Sequence, residues 1–177
     1  MLVRAWAHAC LLTIAGAGCG YQSAYAGAGS EHLHVVLVSS KIPDVVATDE
    51  VLAGVRDALA RRASLAAGDG YPRCEVEVLR IDEASEGVVA TPNVDGRLLP
   101  QSRATRVGIV ARAWIVPAKG QPPTRDTGDV RAFETSAVQE TAAASAFQTD
   151  DAWRAAARRL GNQLGSRLMG LPSASED

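Results

Sequence analysis

The sequence predicts an α+β fold, a two-layer sandwich with two helices packed on a mostly antiparallel four-stranded sheet, in the order β-α-β-β-β-α. Three observations predict it: two segments each carry one apolar stripe at helical spacing, four carry β-branched or alternating apolar residues, and Pro- and Gly-rich stretches separate them. A chain of 177 residues has room for one domain. Hydrophobic residues make up 47% of it, with three Trp, three Tyr and two Phe as the only aromatics, so its core has to be aliphatic.

The first strand is HLHVVLVS, from His32 to Ser39, β-branched and apolar along Val35 to Val38, and Ile42-Pro43-Asp44 ends it. Thr48 reads as an N-cap, with Asp49 and Glu50 complementing the positive end of a helix whose Val51, Leu52, Val55, Leu59 and Ala63 share a face. That helix is expected to run about twenty residues, to Gly68-Asp69-Gly70. Arg73 to about Asp82 reads as a second strand, because Cys74, Val76 and Val78 alternate with Glu75 and Glu77. Joined to the first strand through a helix, it would lie parallel to it if the two are neighbours.

Residues 83 to 104 contain Gly87, Pro92, Gly96 and Pro100 and keep no stable period, so they are expected to form a long connection. A third strand follows from Arg106 to Val116, with Val107, Ile109, Ala111, Ala113 and Ile115 on one side. Pro117 to Gly128 turns the chain into a fourth strand from Val130 to about Thr141. Asp150 and Asp151 open the last helix, whose Trp153, Ala157, Leu160, Leu164, Leu168 and Leu171 step by three and four.

The amino-terminal nineteen residues, MLVRAWAHACLLTIAGAGC, have an early positive charge at Arg4, a short apolar stretch and small residues before a Cys, the layout of an export signal. The apolar stretch is shorter than the ~20 residues a spanning helix needs. Residues 1–18 therefore read as a lipoprotein signal peptide and 19–30 as a lipidated flexible tether rich in Gly, Ala and Ser. The folded domain occupies 31–171, and 172–177 is a disordered tail. Gly16-Ala17-Gly18-Cys19 resembles the bacterial lipobox, with Gly16 where an aliphatic residue is usual. Cys19 is then the site of lipidation, Cys10 leaves with the leader, and Cys74 is left as a buried packing residue with no disulfide partner.

A net charge of −2 gives no broad basic field, which argues against nucleic acid as a partner. Lys41 and Lys119 are the only lysines, so the positive charge is almost all Arg. His32 and His34 stand two apart on a strand, but no third ligand lies near them in sequence and they read as a polar strand entrance. Glu83 and Glu86 read as solvated loop charges, not an acid/base pair. No nucleophile elbow, Ser-x-x-Lys dyad, zinc-protease motif or phosphate-cradling loop is present, so neither enzyme activity nor a cofactor or metal is expected.

The sequence Gly18-Cys19-Gly20-Tyr21, the order of elements after it, and the closing Ala155-Ala156-Ala157-Arg158-Arg159-Leu160 together resemble the LPS-assembly lipoprotein family (LptE, also called RlpB). One departure is Val38-Ser39-Ser40-Lys41-Ile42, where the family has an apolar segment followed by Asn-x-Thr. The resemblance implies an outer-membrane lipoprotein, facing the periplasm, that partners an LptD-like β-barrel and binds lipopolysaccharide. It also implies basic residues in a loop that joins strands, for which Arg97, Arg103 and Arg106 are the candidates here. Two other readings remain: an accessory lipoprotein of an envelope lipid transporter or secretion machine, and a lipid-anchored ligand-binding domain.

Overall fold

Alternation along two long central strands sets the architecture, as a computed structural model shows for residues 31–92, 94–137 and 142–171. The expected leader, Cys19, the tether and the tail lie outside the described residues. In chain order the elements are β1 (Leu33–Ser40), α1 (Val45–Ala60), β2 (Leu65–Ala66), β3 (Arg73–Pro92), β4 (Leu98–Val116), β5 (Arg125–Asp126), β6 (Val130–Ala137) and α2 (Ala142–Leu168).

The class is α+β, but the sheet is mixed and six-stranded, not a mostly antiparallel one of four. Its order is β2-β1-β3-β4-β5, with β6 also on β4. β1 runs parallel to both β2 and β3, because α1 carries the chain back to the end where β1 began. All other pairings are antiparallel. β2 and β5 are two residues each, too short to leave a period in the sequence.

One sheet face is covered by both helices. Cys74, Val76 and Val78 of β3 and Ile109, Ala111, Ala113 and Ile115 of β4 meet Val51, Val55 and Leu59 of α1 and Leu160, Leu164 and Leu168 of α2 in one core. The helices also touch each other closely. A Cβ on Gly161 would overlap the Val51 carbonyl oxygen and lie 2.8 Å from the Val55 nitrogen, and one on Gly54 would overlap the Arg158 carbonyl oxygen. Only glycine lets the two backbones approach this far. Arg158 staples the crossing, 2.9 Å from Glu50 and 2.6 Å from Asp57, and these two carboxylates in that order hold its guanidinium more firmly protonated.

Three expected boundaries move. α1 is capped by Asp44, whose carboxylate accepts from the Ala47 N–H at 3.0 Å, and not by Thr48. The buried Thr48 hydroxyl instead donates to the Asp44 carbonyl at 2.9 Å and shares a 2.9 Å bond with the Ser40 hydroxyl. α1 stops at Ala60, short of Gly68, where Ala63 turns the chain at φ 52° and Ser64 donates its N–H to the Leu59 carbonyl. α2 starts at Ala142, well before Asp150, and β6 is described to Ala137.

Candidate functional site

Residues 83–104 are not an irregular connection. β3 and β4 pair from Arg73↔Val116 to Pro92↔Leu98, with one shift of register between Val78 and Arg80. β1 accompanies β3 only to Val78, and β6 accompanies β4 only to Ala104. Beyond Glu86 the two strands pair with each other alone among the described residues. The strands therefore reach about 45 Å past the last β1 rung, at ~3.4 Å per residue, and the final stretch of about 20 Å, from Glu86 to Pro92, is a two-stranded ribbon. At its end Gly96 takes φ 72°, a left-handed turn conformation that favours glycine.

Arg97 and Arg103 lie on this ribbon, and Arg106 lies just below its base, where β6 still flanks β4. Arg97 is exposed at the tip, Arg103 lies within β4 in the rung next to Ala104↔Glu86, and Arg106 sits between Ala84 and Thr135. Arg97 and Arg106 are separated by about 30 Å of strand. They line a strand and do not ring one pocket, so a single small head group cannot touch all three. Arg106 stacks over the Phe133 ring, 4.0 Å from its centroid. Glu83 and Glu86 are strand residues, paired with Val107 and Ala104.

The sheet face away from the helices is the other chemical surface. On it Glu77 accepts from Arg112 Nε at 2.8 Å and from Ser39 Oγ at 3.0 Å, with Lys41 Nζ 3.1 Å away. Lys41 first, then Arg112, with Ser39 adding to them, pull its carboxyl down to about 2 against the effect of burial. Glu75 accepts from Trp114 Nε1 at 2.9 Å, and Arg112 lies over the Trp114 ring. Asp82 takes Arg80 at 3.2 Å and Arg131 at 3.4 Å. Phe133 lies flat across Gly108, where any Cβ would strike its ring.

A carboxylate held that low by cations is a poor general base, and Glu75 and Asp82 are likewise engaged by donors. The arrangement can bind anions and aromatic or planar groups through its Arg forks. Cys74 is fully buried and its thiol is pushed up to about 12, by burial first and by Glu75 second, which removes its nucleophilic form. His32 lies just outside β1, while the His34 ring packs on Gly70 with its Nδ1 buried and unpartnered. Among the described residues no group of three His, Cys, Asp or Glu is placed to hold a metal, and no helix is long and apolar enough to cross a membrane.

No protein-family model matches the chain, and no curated protein matches it. Solved structures do. A chain from Caulobacter crescentus CB15 designated a lipoprotein superposes with a TM-score of 0.55 at 13% identity, over 82% of this chain and 96% of that one. A minor lipoprotein from Acinetobacter baumannii gives 0.49 at 14% identity, over 81% and 98%. Rare lipoprotein B from Shewanella oneidensis gives 0.47 at 8%, over 77% and 94%. The Caulobacter likeness extends to the fold of nearly the whole of that chain.

The residues that the sequence left unmarked are Arg80, Arg112 and Arg131, on three different strands. A signal was available: acidic Glu75 and Glu77 occupy the outward positions of β3, and an antiparallel neighbour with Arg at its own outward positions answers them.

Proposed function

We propose that the chain is a lipid-anchored envelope lipoprotein that acts by binding and not by catalysis, partnering an outer-membrane β-barrel in lipopolysaccharide transport and assembly. The observation that carries this reading is Cys19, set behind a short apolar leader and the small residues Gly16-Ala17-Gly18. Acyl chains on that Cys contribute about 0.8 kcal/mol per buried CH₂, enough in combination to hold a domain at a membrane. The fold shared with the Caulobacter chain supports the lipoprotein part of the reading. The ribbon supports the partner: two strands lie about 5 Å apart, and such a slim projection fits the lumen of a large barrel. Arg97 and Arg103 on it and Arg106 at its base supply phosphate-binding chemistry.

Labelled palmitate fed to cells is expected to enter the protein and to be absent from Cys19→Ser. A carboxy-terminally tagged chain, solubilised in detergent from the envelope, is expected to bring down a large β-barrel. Capture of inner-membrane transporter or secretion components instead would shift the assignment to an accessory lipoprotein of those machines. The triple variant Arg97→Ala, Arg103→Ala, Arg106→Ala is expected to lose lipopolysaccharide binding; retention at wild-type level removes these residues from the site. A protein that keeps its leader and takes no palmitate sinks the whole reading.

A further inference from the structure

β1 has one edge paired and the other mostly open. β3 lies along one side of it from His34 to Ser40, whereas β2 flanks the other side only at Leu33 and His34. From Val35 to Ser40 no strand among the described residues takes that outer edge. An uncovered edge is a template for another strand, and proteins commonly blunt one with charges or proline. Leu33–Ser40 contains neither Pro nor Asp, Glu, Lys or Arg. Its one irregularity, the register shift between Leu37 and Ser39, leaves the intervening Val38 52% exposed beside an exposed Leu37.

The helix above this edge carries a matching stripe. α1 packs on β1 and β2 while α2 packs on β4 and β6, so the side of α1 turned from α2 looks out over the open edge. Glu50, Gly54, Asp57 and Arg61 meet α2, and at ~100° per residue Val45, Asp49, Arg56 and Ala60 stand on the opposite side. All four are exposed. Asp49 and Arg56 are two turns apart, too far to pair with each other, and among the described residues neither has an ion-pair partner.

Strand and helix share one centre. Ser40 and Thr48 join through a 2.9 Å hydrogen bond, which sets them at one level. Val38 lies about 7 Å back along β1 at ~3.3 Å per residue, a distance that α1, running the other way, covers in about four residues at ~1.5 Å each. Val38 is therefore level with Leu52 and Ala53, midway between Asp49 and Arg56 and also between Val45 and Ala60. We propose that the open edge of β1 and this stripe of α1 form a two-fold interface with a second copy of the chain, the two β1 strands antiparallel about Val38. The axis through that point, perpendicular to the sheet, lays the two α1 helices side by side in opposite directions. Asp49 of each copy then faces Arg56 of the other, and Val45 faces Ala60. A stripe with its acid early and its base late is complementary to itself in this antiparallel arrangement, whereas a parallel one would set like charges together. Val36 to Ser40 of the two copies pair, and β2, beside Leu33 and His34, stays clear. The interface needs neither the barrel partner nor the arginines of the ribbon.

Sedimentation equilibrium of the purified full chain, in density-matched detergent with micelles in large excess over chains, reads the dimer. Wild type is expected to pass from monomer to dimer between about 1 and 100 µM, the range of a small interface. Asp49→Arg and Arg56→Asp each set two pairs of like charges face to face and are expected to weaken the dimer by at least about tenfold, with unchanged melting curves. The double variant Asp49→Arg, Arg56→Asp restores opposite charges at both contacts and is expected to return to within about threefold of wild type. Val38→Cys, placed at the axis, is expected to give a disulfide-linked dimer under mild oxidation, while Arg154→Cys on α2 gives none. The interface is refuted by wild type that stays monomeric at about 100 µM, or by a dimer that both single reversals leave intact. It is equally refuted by loss that the double variant does not repair, or by a dimer in which Val38→Cys links no better than Arg154→Cys. Palmitate labelling and barrel capture are read separately, so either proposal can fail without the other.

Discussion

The two faces of the sheet are built from alternate residues of the same strands and differ in almost every respect. Toward the helices β3 and β4 present Cys74, Val76, Val78, Ile109, Ala111 and Ala113, all without solvent exposure. Away from them the same strands present Glu75, Glu77, Asp82, Arg80, Arg112 and Trp114, tied together by ion pairs and ring contacts. Removing apolar area from water contributes about 25 cal/mol per Å², whereas exposed ion pairs contribute little. The covered face therefore carries the stability, and the open face is left free to specialise.

Substitution is the direct way to break this contrast. Ile109→Ala, at the centre of the covered face, is expected to lower the unfolding free energy by about 4 kcal/mol in urea titration, through lost burial and the cavity left behind. Gly161→Ala is expected to cost about 3 kcal/mol, since its new methyl meets backbone atoms of α1 that cannot swing aside as a side chain would. An effect under about 1 kcal/mol there would mean that the helices do not touch as described.

The open face is expected to show itself in pH dependence. Glu77 ionises near 2 in the folded chain against an ordinary value of 4.5, so between these values the unfolded chain binds the additional proton. Its contribution is complete above about 4.5 and is lost as pH falls toward about 2. Glu77→Gln is expected to flatten that part of the stability profile, measured by thermal melting across the acid range. The smallest effect is expected for Arg112→Ala, less than about 1 kcal/mol, because Lys41 and Ser39 still hold Glu77. A larger loss would make the open face a structural element after all.

The covered face was the legible one. Alternation at Cys74, Val76 and Val78 and the stripe from Ala157 to Leu168 have one periodicity each, so class, the parallel first crossover and the core residues could be read in advance. The ribbon could not, because Gly87, Pro92, Gly96 and Pro100 interrupt any period. A two-stranded ribbon tolerates them, since its outer edges have ladder positions where a missing N–H goes unused. The start of α2 was hidden for the opposite reason: Ala142-Ala143-Ala144-Ser145-Ala146 offers no contrast between apolar and polar faces. Arg80 and Arg131 lie far apart in the chain and come to flank Val110 only through register, which one sequence does not disclose.

β1 is the first of the described strands, and it lies between two parallel neighbours, β2 and β3. A pull on its leading end, opposed by a grip on the far tip of the ribbon, would slide β1 along β3 lengthwise. Under such shear, the rungs from His34↔Arg73 to Ser40↔Val78 share the force together and do not open one after another like a zip. Were the domain moored at one end and grasped at the other, as proposed, this register would resist traction along β1 and β3.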